Sequence, residues 1–448
     1  MRRVPSLFLS CLLLGASTAS AGSTAAVAPS AAATRDSLSL DSLPDEDGLA
    51  QLLWERSTEF TQARSRVDSA QADLTRTRLL PNPELDLSWN TLPLGPTNPP
   101  GLHRLRDVPN YQAGISQLVE LGKRGPRQQS ARAALASTAL DVQSELRERT
   151  YDLLERVAAV ATAQVRLDEL ERLTTDAARL TELQRIRQQR GDTAGLDVDR
   201  AVLEEAQLQG QLAEEHSHLT EALLECSRVA GLACVPFDHR ETAAAFLTRR
   251  LARPASEPGD VQQRPDLRAL QAQRQSAQAD LTLARRGWVP DPTFRAGYVH
   301  DRFTESGNQL DSLFVGMSFP LPVFDHGQAS ARLASAQAEA AERTRQQLTA
   351  QAQRDLRALT AQRDALERRR QRVRQQNLPL ASTLVERLDA AVKAGGASLQ
   401  DLLFARRTYG QLLLDAAELD LNAFRLSVAL DRAHATGPQA PAELRAHF

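Results

Sequence analysis

The chain has 448 residues, of which 25% are charged and only 4% are aromatic. So few aromatic side chains leave little material for large globular cores, which argues against a conventional packed enzyme. The 54 Lys and Arg residues nearly balance the 56 Asp and Glu residues, so the overall charge does not attract nucleic acid. No run of 18 apolar residues occurs beyond the N-terminus. Any membrane crossing by the mature chain must therefore use strands.

The N-terminus has the three parts of a secretory signal. Arg2 and Arg3 precede an apolar stretch, residues 4–14, and small residues follow at 19–21. This order predicts a signal peptide over residues 1–21 and an exported protein, followed by a flexible segment over 22–48. Lipidation at Cys11 remains an alternative.

Two cysteines remain in the mature chain, in a compartment that permits disulfides. Cys226 and Cys234 are eight residues apart, with Gly231 between them. A continuous helix would hold them too far apart, so a bridge requires the helix to end between them. A bridge and a pair of free buried thiols are both compatible with the sequence.

An internal repeat organises the chain. Residues 69–75 recur letter for letter as residues 276–282, and each copy precedes a Pro-x-Pro sequence, at 81–83 and 290–292. A residue before proline avoids the helical region, so a helix should end in each half at the same point. Later in both halves, Gly114 and Gly125 match Gly316 and Gly327 at a constant offset of 202. The sequence thus predicts two structural repeats, at 49–232 and 263–435.

Each repeat contains a predicted β-hairpin, at 83–120 and 293–320. Apolar and polar residues alternate there, as in Leu85, Leu87 and Trp89, and aromatic residues lie near the strand ends. Strands of this length and pattern are typical of outer-membrane barrels, although soluble hairpins remain an alternative. The smallest such barrels have eight strands, so several chains would have to build one together.

Long helices fill the rest of each repeat. Leu146, Leu153 and Val160 are seven residues apart, which indicates coiled packing. Pro379 should kink the second long helix. The predicted fold class is mainly α with a small β part. The expected helices, linker and tail are 49–79, 126–190 and 196–232, a linker/equatorial segment at 233–262, helices at 263–287, 328–394 and 398–435, and a C-terminal tail at 436–448.

Four local motifs resemble one protein family in their order and spacing. They are Leu80–Leu85, Glu120–Arg127, Arg264–Leu267 and Phe319–Asp325. Together with the duplicated architecture, they resemble the TolC-like outer-membrane efflux proteins, in particular the cobalt-zinc-cadmium (CzcC-like) branch. The resemblance covers residues 49–435.

The resemblance implies an assembly and a function. It implies a homotrimer whose strands close a twelve-stranded β-barrel in outer-membrane lipid, continued by an α-helical barrel through the periplasm. It also implies docking to a periplasmic membrane-fusion adaptor and an inner-membrane pump of the RND type. The chain would then be the passive exit duct of a tripartite efflux system, and the branch favours divalent heavy-metal cations as substrates.

The resemblance also assigns roles to two turns and to two helix starts. The turns between the long and short helices match adaptor-contacting tips, and nearby residues match a periplasmic gate. Three copies of an acidic residue would bring like charges together and attract cations. For Asp197, capping of the positive helix N-terminus is the competing role. The docking residues would be Gly191, Asp192, Thr193, Gly395, Gly396 and Ala397, and the gate residues Asp401, Phe404 and Asp197.

No motif indicates catalysis, a cofactor or a metal centre. His216 and His218 are two apart on a predicted helix, so their rings point to different faces. The arginines of 343–374 alternate with Gln and Ala and lack aromatic neighbours, which favours a solvated surface over nucleic-acid binding. The alternative function is a soluble periplasmic coiled-coil scaffold or adaptor. The duplication argues against it, because an adaptor usually has a single hairpin.

Overall fold

The computed structural model describes residues 37–90, 94–96, 100–103, 106–108, 110–252, 260–301, 309–435 and 437–448. The predicted signal peptide and residues 22–36 of the expected flexible segment lie outside this part. The chain divides into two units, residues 1–37 and Leu38–Phe448, and the following description concerns the second.

The first repeat follows the predicted order of elements. Its elements are α1 (Glu46–Arg56), α2 (Thr58–Arg78), β2 (Glu84–Asn90), β3 (Asn110–Leu118), α3 (Arg124–Gln189) and α4 (Gly195–Ala230). The helix expected over 49–79 is divided at Ser57, whose backbone is extended. Part of the expected flexible segment, residues 37–48, is ordered: it contains β1 (Ser37–Ser39) and the start of α1. Burial of Leu38 and Leu40 accounts for this order.

The described first part of the segment between the repeats, residues 233–252, is structured. It contains β4 (Ala233–Val235) and α5 (Arg240–Leu251), and the backbone N–H of Leu40 donates to the carbonyl of Val235. Helix α4 ends at Gly231, whose φ of 70° suits a residue without a side chain. The reversal brings the Cα atoms of Cys226 and Cys234 to 6.1 Å, and the two residues form a disulfide. Of the two alternatives in the sequence, the bridge is the one that forms.

The second repeat has the same order with one irregularity. Its elements are α6 (Pro265–Arg285), β5 (Thr293–His300), β6 (Asp311–Ser318), α7 (Gln328–Arg372), α8 (Leu378–Lys393) and α9 (Leu399–Ala433). A π-helical turn, Val373–Asn377, separates α7 from α8 just before Pro379. A local π-turn thus occurs where the sequence predicts a kink. A short helix, α10 (Ala442–Arg445), follows in the tail.

The two hairpins form one antiparallel sheet in the order β2-β3-β5-β6. Leu85, Ile115, Ala296 and Val315 lie in one row across the sheet. Because side chains alternate between faces, this row and its neighbours two residues away create one apolar face. The opposite face carries small and polar residues at most positions. Members of the apolar face that are exposed in the chain are Leu85, Leu87, Trp89, Tyr111, Ile115, Phe294, Tyr298, Leu313, Val315 and Met317.

The main core surrounds the middle of α3. Side chains there pack against α1, α2, α4, α5, α9 and α10, and the largest of them are aromatic. Phe60, Tyr151 and Phe424 are each almost completely buried. At the far end of α3 the packing is slighter, in a separate cluster of Leu180, Val392, Leu399 and Leu402. The helices are therefore anchored mainly at mid-length.

Candidate functional site

The two predicted docking turns have the same backbone geometry. In the first, the N–H of Asp192 donates to the carbonyl of Arg187, and the N–H of Gly191 donates to that of Gln188. Gly191 has a φ of 83°, as required where a helix ends in a left-handed residue. The turn is therefore fixed by its own hydrogen bonds, and its residues are free to face outward.

The second turn repeats this pattern. Here the N–H of Gly396 donates to the carbonyl of Ala391, the N–H of Gly395 to that of Val392, and Gly395 has a φ of 77°. Both turns are largely exposed, although Thr193 and Ala397 are half-buried. The structure places the predicted docking residues at the corresponding ends of two helical hairpins, α3–α4 and α8–α9.

The helices that leave the turns begin differently. Ser398 caps α9, because its Oγ accepts from the N–H of Asp401 at 3.2 Å and donates to the Asp401 carboxylate at 2.6 Å. The corresponding residue before α4 is Ala194, which has no capping side chain. A reciprocal bond of this kind fixes the first turn of α9.

The predicted gate residues lie at these helix starts, Asp197 and Asp401 in the first turns and Phe404 in the second turn of α9. Asp401 and Phe404 are three residues apart and thus share a helix face, and Phe404 is 73% exposed. Asp197 accepts from Thr193 Oγ1 at 3.2 Å and pairs with Arg200 at 3.3 Å. Its local partners favour a role in stabilising the helix start. Asp401 and Phe404 are both exposed.

A network that the sequence did not reveal joins the two hairpins near the tips. Arg406 donates to the Asp389 carboxylate at 3.2 Å and to the carbonyl of Asp176 at 3.4 Å. Lys393 binds the same Asp389 at 2.6 Å. Only the spacing of Asp389 and Lys393, four residues along a helix, was visible in advance. Arg406 thereby connects α9 to both α8 and α3.

A second unforeseen cluster lies beside the π-helical turn. Arg370 and Arg374 both bind Asp420 on α9, Arg370 at 2.6 Å, and Asp420 is buried. Burial opposes the charge of Arg370, but the hydrogen bond to Asp420 keeps the pKa of its guanidinium above the ordinary value. Part of the arginine-rich stretch therefore makes internal ion pairs, in which Arg370 is largely shielded from solvent and Arg374 stays exposed.

The strand–helix junctions are joined across the repeats. Lys123, before α3, binds Asp291 at 2.8 Å, and the N–H of Leu121 donates to the same carboxylate at 2.9 Å. Burial acts to raise the pKa of Asp291, but the bonds from Lys123 and Leu121 hold it below the ordinary value. This contact fixes the sheet on the helical body.

Two kinds of site are absent from the described residues. Among them, no cluster of three or more His, Cys, Asp or Glu side chains could hold a metal ion. Within the same part of the chain, every helix falls short of the length or apolarity needed for a membrane span.

Comparisons with known proteins agree with this architecture. Residues 261–436 match the family model described as Outer membrane efflux protein. The chain is 28% identical to the pyoverdine export outer membrane protein OpmQ of Pseudomonas aeruginosa, over 97% of both chains. It is 24% identical to the cobalt-zinc-cadmium resistance protein CzcC of Cupriavidus metallidurans, over 83% of this chain and 85% of that protein.

The fold is also that of a solved outer membrane protein. The VceC structure from Vibrio cholerae superposes with a TM-score of 0.68 at 17% identity, covering 87% of this chain and 96% of that one. The match to the outer membrane efflux protein family thus covers the second repeat, the likeness to OpmQ and CzcC extends over most of the chain, and the function is that of an efflux channel in the outer membrane.

Proposed function

We propose that three copies of this chain form the exit duct of a tripartite efflux system. The observation that carries the proposal is the sheet: one face is apolar and exposed, and within the described residues β2 and β6 have unpaired edges. Exposed edges are not tolerated in lipid, because each unpaired backbone group there costs several kcal/mol. Three such sheets joined edge to edge supply twelve strands, enough for a closed barrel.

Measurements of the oligomeric mass and of the pore conductance test this proposal. The protein is extracted from the outer-membrane fraction in detergent, its oligomeric mass is measured, and it is reconstituted in a planar bilayer. We expect a trimer with discrete pore openings. A monomer that shows no conductance at any voltage contradicts the duct and favours a scaffold.

The tips are proposed to dock a periplasmic adaptor that connects the duct to an inner-membrane pump of the RND type. Gly396 suits a test because a Cβ there meets nothing closer than the Ala391 carbonyl at 3.8 Å, and its φ is not positive. Gly396→Arg should keep the turn but obstruct docking, so that efflux falls while pore conductance is unchanged. Gly210→Arg on α4, where a Cβ also has open space, is the matched control. Equal efflux by Gly396→Arg and Gly210→Arg would show that residues 395–397 are not part of the docking surface.

Asp401 and Phe404 are proposed to line the periplasmic gate, with Asp197 in a supporting role. Three Phe404 rings would narrow the entrance, and three Asp401 carboxylates would favour cations. Phe404→Ala should raise single-channel conductance, and Asp401→Asn should lower the preference for cations over anions. Leu203→Ala, at an exposed apolar position of α4, is the control for Phe404→Ala. Unchanged conductance and selectivity in the gate variants would place the constriction elsewhere.

Divalent heavy-metal cations are the proposed substrate, supported by the likeness to CzcC and to the nickel and cobalt resistance protein CnrC. The likeness to the pyoverdine export protein OpmQ supports a second candidate, an exported molecule such as pyoverdine. A host lacking the gene should lose tolerance to zinc, cobalt or cadmium if the first is correct. Normal tolerance together with a loss of pyoverdine export would favour the second.

A further inference from the structure

The two hairpins are copies of one geometry. Glu84 lies opposite Ser116 in the first, and Thr293 lies opposite Ser318 in the second. The Pro-x-Pro sequences relate the first strands by a shift of 209 residues, and the glycines relate the second strands by 202. The shift of 209 takes Glu84 to Thr293, and the shift of 202 takes Ser116 to Ser318, so the two pairs occupy matching positions. The pairing register is thus a property of the repeat.

The seam where the hairpins meet, between β3 and β5, has a defined register and a defined lower end. Gly114 lies opposite Gly297. Below the strands, the N–H of Val119 donates to the carbonyl of Pro292, and the Asp291 carboxylate accepts from Leu121 and Lys123. The second strand of one repeat and its following turn thereby dock on the first strand and Pro-x-Pro sequence of the other repeat.

At the outer edges of the sheet, β2 and β6 each have one side on which no strand pairs with them within the described part of the chain. Strand β6 continues into the segment before α7, and β2 follows its own Pro-x-Pro sequence. The segment after β6 is more exposed than the turn after β3: Val323 is 70% exposed, whereas Leu121 is 43% exposed. The segment after β6 therefore lacks the cover that the seam gives the turn after β3.

We infer that β6 of one copy pairs with β2 of the next in the register of the seam. The repeat shifts place Ser318 opposite Asp86 of the partner subunit, and Gly316 opposite Ser88 of the partner subunit. This inference rests on the proposed trimer and goes beyond it, because it assigns the partner residue at each position.

The side chains agree with this register. Met317 on the apolar face falls opposite Leu87 of the partner subunit, also apolar, and Ser318 on the polar face falls opposite a carboxylate. A slip of one residue would place apolar against polar side chains along the whole edge. A slip of two residues preserves the faces, so only the seam distinguishes these registers.

The helices support the same arrangement. In the chain, Ser137 on α3 donates to the carbonyl of Ala269 on α6 at 3.0 Å, and Ser130 meets Ser276 at 3.1 Å. The residue of α2 equivalent to Ser276 is Ser69. It is exposed, as are Gln62 and Ser65 along the same side of α2. This face is small and polar like its counterpart on α6, and it is available to α7 of the neighbouring copy.

Paired cysteines test the register in the full-length protein. Ser318→Cys is combined with Asp86→Cys, the predicted partner, and separately with Glu84→Cys or Ser88→Cys, which represent slips of two residues. Opposite residues in a sheet have Cα atoms about 4.5–5.5 Å apart, within disulfide range, whereas diagonal neighbours are about 7–8 Å apart. The native Cys226–Cys234 bond is present in all variants and supplies the background.

The readout is the covalent oligomer on non-reducing gels after mild oxidation in membranes, beside the native mass in detergent. We expect the Ser318→Cys/Asp86→Cys pair to cross-link at least fivefold more than either slipped pair, up to a covalent trimer. If the protein is a trimer by mass but cross-links best in a slipped pair, or in no pair, the proposed register is wrong and the proposed duct still stands. A monomer by mass contradicts the proposed function itself.

Discussion

The middle and the far end of α3 differ in how firmly they are held. In the middle, Phe60, Tyr151 and Phe424 share one large core with side chains from several helices. At the far end, Leu180 packs in a small cluster with residues of α8 and α9, beside exposed turns. Local opening costs least where few apolar contacts must break. One continuous helix therefore has an anchored middle and an easily moved tip, which suits a duct that must be rigid in its body and open at its entrance.

The difference between the middle and the far end of α3 is tested most directly by removing one buried side chain from each region. Phe424→Ala should cost about 4 kcal/mol, and Leu402→Ala about 2 kcal/mol, because the small tip cluster can close around the cavity. Chemical unfolding in detergent measures both. Equal losses would show that the tip is packed as firmly as the middle.

Alkaline pH should act on the middle through Tyr151. Burial, only partly offset by Arg147, raises the pKa of the Tyr151 hydroxyl to about 12. The unfolded chain ionises near its ordinary value of 10, so stability is fully present below pH 10 and falls as the pH rises toward 12. A shift of about two units corresponds to roughly 2.7 kcal/mol.

The matched variant for this effect is Tyr151→Phe. Its unfolding midpoint should be lower at neutral pH, because the hydroxyl contact with Arg147 is lost, but should fall less steeply from pH 10 to 12. Parallel curves for the two proteins would assign the alkaline loss to other groups.

The disulfide also belongs to the anchored region, since Cys226 and Cys234 are members of the main core. A bridge spanning eight residues should contribute about 2.5 kcal/mol by restricting the unfolded chain. Replacing both cysteines by Ala should lower the unfolding midpoint and leave hydrogen exchange at the tips unchanged. Faster exchange at the tips as well would mean that the two regions are coupled.

The smallest expected effect distinguishes one tip from the other. Ser398→Ala removes the cap of α9 and should cost about 1 kcal/mol locally, whereas Ala194→Ser supplies a missing cap to α4. Amide exchange in the first turn should become roughly fivefold faster in Ser398→Ala and slower in Ala194→Ser. No change in either variant would show that the turns are held by their backbone hydrogen bonds alone.

Much of the fold was predictable because its signals are local. The Pro-x-Pro sequences mark helix ends, the alternation from Leu85 to Trp89 marks a strand, and Gly191 and Gly395 mark the two turns. Each of these depends on the conformational limits of nearby residues. The long helices α3 and α4 accordingly begin and end within two residues of their predicted bounds.

What escaped prediction depends on contacts between distant residues. Asp420 has an ordinary helical setting in the sequence, and only the packing of α9 against the π-helical turn makes it a buried partner of two arginines. Arg406 likewise acquires its role from α3 and α8. The docking and gate residues, from Gly191 to Phe404, remain predictions, because their roles depend on partner molecules.

The π-helical turn Val373–Asn377 makes two arms of equal residue number unlike. Helix α3 spans Arg124–Gln189, and the second arm, from α7 to α8, spans Gln328–Lys393, a shift of 204 residues at both ends. The first arm is a regular helix throughout, whereas the second contains a wider turn, which advances less along the axis. The side chains after this turn therefore point in directions different from those at the matching positions of α3, so the two arms of the tip are not interchangeable.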